Sequence, residues 1–198
     1  MGVACSSPAS HDRSKPYDDT GSWASRTPAS ETCTNGAVTA VLVTGMSATG
    51  KSSVLAELAR RGHRVVDTDY GDWIEEVPLS ESGGTERLWR AKAVEALLDE
   101  HADGTLFVSG CVANQGSFYS RFDAVVLLSA PANVILERVA TRETNRFGRA
   151  EQERAAILHD LTEVEPLLRA GATAELDTRA PLHEVADALE RIAGEARG

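Results

Sequence analysis

The chain has 198 residues, enough for one domain with a terminal extension. Its 30 acidic residues outnumber its 20 basic ones, which gives a formal net charge of −10. Because nucleic acids and anionic membranes are bound through basic surfaces, this balance argues against both as the main partner. No apolar run approaches the roughly 18 residues that a membrane-spanning helix needs. The three cysteines show no metal-ligand spacing, and an odd number does not suggest a set of disulfides, so we expect a cytoplasmic protein. We expect it to be a monomer or a homodimer.

The first part of the chain differs in composition from the rest. Residues 1–36 are rich in Ser, Thr, Ala, Pro and Asp and have no periodic apolar pattern. Such a segment buries too little apolar surface to offset the entropy lost on ordering. We therefore predict a disordered tail over residues 1–36 and a folded domain over residues 37–198. The tail is nearly neutral, so the acidity belongs to the domain.

From residue 38 onward, short apolar runs alternate with helical stretches, which is typical of a parallel sheet covered by helices on both faces. The apolar runs predict strands at residues 38–44, 63–66, 106–109, 124–128 and 173–176. Helices are predicted at residues 52–61, 85–101, 131–140, 151–169 and 182–192, and residues 70–84 are predicted to be irregular. This is one α/β domain with five strands.

One stretch carries most of the chemistry. It reads Gly-Met-Ser-Ala-Thr-Gly-Lys-Ser over residues 45–52, which fits G-x-x-x-x-G-K-[ST] between a strand and a helix. Glycines let such a loop curl, so that its N–H groups and the helix N-terminus surround nucleotide phosphates. The lysine then reaches the β- and γ-phosphates, and the last hydroxyl binds Mg²⁺. The predicted nucleotide-binding residues are Gly45, Ser47, Ala48, Thr49, Gly50, Lys51, Ser52 and Ser53.

Two further groups of charged residues follow strands of the predicted sheet. Asp67 and Asp69 come after the second strand, and strand alternation points their side chains the same way. Beside a bound nucleotide, one carboxylate can hold the metal and the other can accept the proton of an attacking hydroxyl. Arginines after the fourth strand suit a mobile lid over the phosphates. The alternative for the two carboxylates is an ordinary solvated turn, and the alternative for the arginines is a solvated basic surface. The arginines are Arg138, Arg142, Arg146 and Arg149.

Taken together, these motifs resemble the shikimate kinase and gluconate kinase group of small-molecule P-loop kinases, which also includes chloramphenicol phosphotransferase. The resemblance covers about residues 38–193. It implies a three-layer P-loop NTPase sandwich with strand order 2-3-1-4-5, an Arg-rich lid, ATP as phosphate donor, Mg²⁺ and a hydroxyl acceptor. The implied roles are catalysis by Lys51, Asp67, Asp69, Arg142 and Arg146, metal binding by Ser52 and Asp67, and nucleotide binding by Arg138, Asp177 and Thr178.

Departures from that group restrict the acceptor. Shikimate kinases have a triple-Gly turn after the third strand, where this chain has Gly110-Cys111-Val112. They also place an arginine where this chain has Glu163-Val164-Glu165-Pro166. Shikimate is therefore disfavoured, and a neutral or amine-bearing hydroxylated metabolite or antibiotic is the first hypothesis. The residues predicted to line the acceptor side are Asp69, Tyr70, Trp73, Arg90, Gly110, Cys111, Asn114 and Gln115.

Other functions remain open at this point. A nucleoside or nucleotide kinase is the nearest alternative, although the chain has no D-G-[YF]-P-R-type motif. A nucleotide-binding regulator that transfers no phosphate is the alternative from another class, but the base-reading N-K-x-D motif of GTPases is missing. The leading prediction is an ATP-dependent kinase that phosphorylates a hydroxyl of a small metabolite or antibiotic.

Removal of residues 1–36 should leave the melting temperature of the domain nearly unchanged, because the segment is predicted to pack against nothing. Thermal unfolding of the full chain and of a chain beginning at residue 37 measures the effect. A drop of more than about 4 °C, equivalent to roughly 1 kcal/mol or more in a domain of this size, would mean that the tail packs on the domain.

Overall fold

A computed structural model describes residues 38–79, 84–141, 148 and 150–197. The strands in this part of the chain are β1 (Thr39–Thr44), β2 (Arg64–Asp67), β3 (Ile74–Pro78), β4 (Thr85–Trp89), β5 (Thr105–Ser109), β6 (Ala124–Ser129) and β7 (Ala174–Asp177). The helices are α1 (Lys51–Arg60), α2 (Ala91–Asp99), α3 (Ala132–Thr141), α4 (Glu151–Glu163), α5 (Glu165–Gly171), α6 (Leu182–Glu195) and a 3₁₀ helix at Gln115–Arg121.

Five of these strands form one parallel sheet in the order β2-β5-β1-β6-β7. Counted within this sheet alone, the order is 2-3-1-4-5, so the predicted P-loop NTPase arrangement is confirmed. The central strand β1 is buried along its whole length. Its carboxyl end therefore lies between the ends of β5 and β6. Since ligands of open α/β sheets bind at this edge, the loop after β1 lies at the middle of the expected site.

Alternation along β1 divides the core between the two faces of the sheet. Val41 and Val43 pack with residues of α1 and α6 on one face. Ala40 and Leu42 pack with residues of α2, β4 and the 3₁₀ helix on the other. Successive side chains of a strand point to opposite faces, so a strand that is apolar throughout must be covered on both sides. This gives the predicted three layers.

The segment between β2 and α2 differs from the prediction. Strands β3 and β4 pair antiparallel, with Ile74 opposite Trp89 and Glu76 opposite Arg87. The prediction of irregular structure over residues 70–84 and of a helix over residues 85–101 was therefore wrong before Ala91. Residues 85–89 have acceptable helix propensity, but complete burial of Trp89 and pairing with β3 decide the outcome.

The predicted helix over residues 151–169 is two helices, α4 and α5, which meet at Val164. Pro166 explains the division, since a proline inside a helix lacks the N–H donor and clashes with the preceding turn. At its position in the first turn of α5, Pro166 costs nothing, because the N–H groups of the first turn have no partner within the helix. Within the described residues, no helix is long and apolar enough to cross a membrane. The predicted tail (residues 1–36) and lid arginines Arg142, Arg146 and Arg149 lie outside the described residues.

The hairpin β3–β4 is attached to the sheet through Trp89. The indole Nε1 donates to Thr68 Oγ1 at 2.9 Å, and that hydroxyl donates to the Ser109 carbonyl at 2.8 Å. Asn114 bonds both backbone groups of Trp89, accepting from its N–H at 2.8 Å and donating to its carbonyl at 3.0 Å. These bonds fix β4 against the carboxyl ends of β2 and β5, and so against the expected site.

Gly110→Ala should destabilise the fold by about 1–3 kcal/mol, since overpacking a close contact costs this much. A Cβ at Gly110 would lie 2.5 Å from Thr68 Oγ1 and 2.6 Å from the Trp89 ring. Gly116→Ala is the matched control, because its Cβ would meet nothing within 4 Å. Chemical denaturation measures both. Equal stabilities of the two variants would contradict the packing described for Trp89.

Candidate functional site

The loop between β1 and α1 depends on positive φ angles. Gly45 has φ 146°, Ala48 has φ 64° and Gly50 has φ 98°. A Cβ at Gly45 would lie 2.3 Å from the Leu128 carbonyl oxygen, so only glycine fits against β6 there. Gly50 is the N-cap residue of α1 and has no side chain to bond the first N–H groups of the helix. These donors and the positive end of the helix dipole therefore face the loop and suit an anion.

Lys51, the first residue of α1, folds back over this loop. Its Nζ donates to the carbonyl oxygens of Gly45 at 2.7 Å and Met46 at 3.1 Å. Thr49 also bonds the loop, from Oγ1 to the Met46 carbonyl at 2.8 Å. The ammonium group thus lies at the mouth of the loop, where phosphate oxygens can replace the carbonyls. The predicted residues Ser47 and Ser53 lie on the loop and on α1 beside it.

A hydrogen bond joins the next helical residue to the end of β2. Ser52 Oγ donates to Asp67 Oδ2 at 2.8 Å, and Asp67 is completely buried. Burial raises the pKa of the Asp67 carboxyl to about 6, and the nearby Asp69 charge adds to this, while the Ser52 hydrogen bond opposes it. A buried carboxylate is costly unless a cation or donors compensate its charge. The site therefore suits a cation.

The donor set fits Mg²⁺ in particular. A hydroxyl and a carboxylate offer the oxygen ligands that this ion prefers, and it commonly takes one or two carboxylates together with phosphates and water. Among the described residues, no group of three or more His, Cys, Asp or Glu could hold a metal on its own. Ser52 and Asp67 would thus hold Mg²⁺ together with the phosphates of a nucleotide.

Asp69 lies two residues after Asp67, next to the hairpin. Its backbone N–H donates to Asp67 Oδ1 at 3.2 Å, and its side chain is 33% exposed. Arg87 of β4 approaches it, with 3.7 Å between Nη2 and Oδ1. Arg87 is absent from the sequence predictions. The signal that could have revealed it is alternation in β4, which puts Arg87 on the same face as the buried Trp89.

Several residues predicted to line the acceptor side are occupied by contacts within the protein. Gln115 is buried, and its Nε2 donates to Thr44 Oγ1 at 3.1 Å and to Tyr119 OH at 3.0 Å. Asn114 holds the backbone of Trp89, as described above. The other two residues of this group, Gly110 and Cys111, are small. The space beside Gly110 is filled by Trp89, and Cys111 is buried against Met46 and Leu127. The structure gives these four residues packing and positioning roles.

The other three predicted acceptor residues lie along the hairpin side. Tyr70 and Trp73 are half-buried between β2 and β3, and Trp73 packs against the core beneath the hairpin. Arg90 is exposed at the N-cap of α2, where its N–H donates to the Trp73 carbonyl at 2.8 Å. The structure brings Tyr70 near Asp67 through a 3.2 Å backbone hydrogen bond.

The glutamates that favoured an amine-bearing acceptor lie where α4 meets α5. Glu165 is buried, and its Oε1 accepts a hydrogen bond from Arg169 at 2.7 Å. Arg169 also bonds Glu175 on β7, the edge strand opposite β2. Glu163 is exposed at the end of α4. One arginine thus serves two carboxylates, and Oε2 of Glu165 is buried without a hydrogen-bond partner among the described residues.

On the opposite side of the phosphate loop, Arg138 of α3 connects two loops. It donates to Thr178 Oγ1 at 2.8 Å and to the Thr178 carbonyl at 2.6 Å, and reaches the Ala48 carbonyl at 3.4 Å. Asp177 is occupied by Arg179, whose hydrogen bonds hold the pKa of the Asp177 carboxyl below its usual value. Arg138 therefore joins the phosphate loop to the turn after β7.

Only the end of the predicted lid is described. Gly148 has φ 93°, and a Cβ there would lie 2.2 Å from Val139. Glu153 on α4 accepts hydrogen bonds from the N–H groups of Gly148 at 2.8 Å and Ala150 at 3.1 Å. These contacts fix the point where the arginine-rich segment joins α4.

Fold and loop together define an α/β protein of the P-loop nucleotide-binding class. A family model described as AAA domain matches residues 41–159, more than half of the chain. The chain belongs to this AAA domain family. No curated protein sequence matches the chain.

Solved structures show the same architecture. A shikimate kinase from Acinetobacter baumannii in complex with shikimate aligns at 19% identity over 78% of this chain and 92% of its own, with a TM-score of 0.56. A shikimate kinase from Bacteroides thetaiotaomicron aligns at 14% identity over 78% and 97%, with a TM-score of 0.55. A gluconokinase from Sinorhizobium meliloti 1021 aligns at 20% identity over 81% and 97%, with a TM-score of 0.49. The two shikimate kinases, whose TM-scores exceed 0.5, confirm the resemblance to the shikimate kinase-like group in the fold.

Arg138→Gln should weaken Mg²⁺–ADP binding by about 10-fold to 100-fold, roughly 1.4–2.8 kcal/mol. The substitution removes the charged donors that connect Thr178 to the phosphate loop, so the nucleotide must order both loops itself. Calorimetric titration with Mg²⁺–ADP measures the change. Arg191→Gln, at an exposed position on α6, is the control. Unchanged affinity in Arg138→Gln would mean that the link plays no part in nucleotide binding.

Proposed function

We propose that this protein is an ATP-dependent phosphotransferase that moves the γ-phosphate of ATP to a hydroxyl of a small metabolite or antibiotic. The observation that carries the proposal is the arrangement at the end of β2. A buried carboxylate, Asp67, bonds the Ser52 hydroxyl beside Lys51, and a second carboxylate, Asp69, lies next to Asp67 and approaches Arg87 of the hairpin. One such carboxylate can hold the metal, and the other can accept a proton.

The proposed roles follow from position. Lys51 and the loop N–H groups bind the phosphates and offset the charge on the transferred group. Ser52 and Asp67 would hold Mg²⁺, which would offset negative charge on the phosphates. Asp69 accepts the proton of the acceptor hydroxyl while the hydroxyl oxygen bonds to the γ-phosphorus. The bond between the γ-phosphorus and the β–γ bridging oxygen breaks, and ADP leaves.

Arginines complete the proposed site on the nucleotide side. Arg138, with Asp177 and Thr178, borders the nucleotide beyond the phosphate loop, and Arg142 and Arg146 close over the phosphates as a lid. A lid of this kind excludes water and adds positive charge at the transferred group. Glu153 bonds the Gly148 N–H, so the proposed lid would be anchored at the end that joins α4.

The proposed location, oligomeric state and domain limits rest on the sequence alone. We place the protein in the cytoplasm as a monomer or homodimer, with a tail over residues 1–36 and the kinase domain over residues 37–198. The formal net charge of −10 supports a small-molecule acceptor over nucleic acid or a membrane surface.

Coupled measurement of ADP release with Mg²⁺–ATP and pooled acceptors tests the function. The pools contain shikimate, gluconate, nucleosides, nucleoside monophosphates, aminoglycosides and chloramphenicol. Lys51→Ala should lower the acceptor-dependent rate at least ~10²-fold, the usual worth of one positioned transition-state donor, and serves as the blank. A nucleoside or nucleotide pool as the only active one would favour the nucleoside or nucleotide kinase. Nucleotide binding without acceptor-dependent ADP release in any pool would favour a regulator.

Asp69→Asn should reduce kcat much more than it weakens Mg²⁺–ATP binding, because an amide cannot accept the proton but keeps the shape of the side chain. The nearby exposed residue Asp72 supplies the control, Asp72→Asn, which should change neither quantity. Turnover and nucleotide titration are measured on the same preparations. A pure loss of nucleotide affinity would instead assign Asp69 to the metal side.

A further inference from the structure

The first turn of α5 lies at the same edge of the sheet as the phosphate loop. Helix α5 ends shortly before β7, where the Thr173 N–H donates at 2.8 Å to the carbonyl of Val125, near the amino end of β6. At the other end of the helix, Val164 packs in one cluster with Met46 of the phosphate loop and Cys111 after β5. The helix therefore runs from the carboxyl edge of the sheet toward the amino edge, and its start borders the site.

Glu165 belongs to the face of α5 that packs on the sheet. Residues three and seven positions apart share a helix face, which groups Glu165 with Leu168 and Ala172. Both of these pack in the cluster that contains Met46 and Cys111. Glu165 itself is only 8% exposed. Its carboxylate is thus enclosed beside an apolar cluster at the carboxyl edge, where a glutamate is rarely found unless a partner compensates its charge.

One oxygen of the Glu165 carboxylate has no partner among the described residues. Oε1 accepts a hydrogen bond from Arg169 at 2.7 Å, whereas Oε2 is buried and accepts none. Arg169 also donates to both oxygens of Glu175, at 2.8 and 2.9 Å, so one positive charge serves two carboxylates. A buried carboxylate oxygen without a donor is costly. The arrangement is therefore complete only with a further donor that carries positive charge.

We propose that Glu165 binds an ammonium group of the acceptor molecule, and hence that the acceptor is a hydroxylated amine. This inference rests on the proposed function, since it takes a small hydroxylated molecule as the acceptor. A neutral hydroxyl could supply the hydrogen bond but would leave the negative charge uncompensated. An ammonium group has three N–H donors and no acceptor, which matches a carboxylate oxygen that lacks a donor.

One loop lies between Glu165 and the carboxylate proposed to receive the hydroxyl proton, Asp69. A Cβ at Gly110 would lie 2.6 Å from the Trp89 ring of the hairpin, and the next residue, Cys111, packs in the cluster with α5. The hairpin and α5 therefore flank the same loop at the carboxyl edge, and Asp69 lies next to the hairpin. An acceptor over this loop would have its reactive hydroxyl at one end and its ammonium group at the other.

The test uses the full chain saturated with Mg²⁺ and β,γ-methylene-ATP, at neutral pH, where the amines of the probes are largely protonated. Calorimetric titration compares 2-deoxystreptamine with myo-inositol, glucosamine with glucose, and serinol with glycerol. At least one amine should bind at least ~10-fold more tightly than its neutral counterpart, because a hydrogen bond to a charged group contributes this much. Glu165→Gln should abolish the preference, since it keeps the shape of the side chain but removes its charge. Glu165→Asp should retain part of it, because the charge remains on a shorter side chain.

Glu163→Gln is the matched control, since Glu163 is exposed at the end of α4, two residues earlier, and should keep the full preference. All titrations are made well below the lowest melting temperature of the variants, so that a lost preference reflects binding rather than unfolding. Equal binding of amines and neutral probes, undetectable binding of both, or a preference that persists in Glu165→Gln would overturn the proposal.

Addition of the same probes to the ADP-release measurement separates this inference from the function beneath it. Amine binding that depends on Glu165, with no acceptor-dependent ADP release from any pool, would uphold the inference on the binding group and remove phosphotransfer. Faster ADP release with myo-inositol, glucose or glycerol than with the amines, unaffected by Glu165→Gln, would uphold phosphotransfer and remove the inference.

Discussion

Complete burial of one carboxylate determines how this site is built. Asp67 lies at the end of β2 with no access to water, and the Ser52 hydroxyl is its direct side-chain partner. The Ser52 hydroxyl and the Asp69 N–H donate to it and compensate part of its charge, and a nearby cation would compensate more. That cation can be Lys51, a bound metal ion or both. The phosphate loop and the second strand are therefore coupled through a single side chain.

The proposed acceptor side depends on a different interaction, the attachment of a hairpin to the sheet. Trp89 fills the space beside Gly110, and Asn114 reproduces with its amide the two bonds that a neighbouring strand would make. Polar side chains at the carboxyl edge of the sheet are thus used to hold β4. What they hold is Arg87 beside Asp69. The hairpin is therefore positioned by residues of the sheet.

The sequence predicts the sheet far better than the hairpin, for a physical reason. Buried strands such as β1 are continuous β-branched runs, and a phosphate loop has an almost obligatory spacing, so both are visible in local sequence. In β4 the deciding facts are the burial of Trp89 and its partner strand, which are not local. Gln115 and Asn114 illustrate the same limit, because an amide near a site can bind a ligand or the backbone, and sequence does not distinguish them.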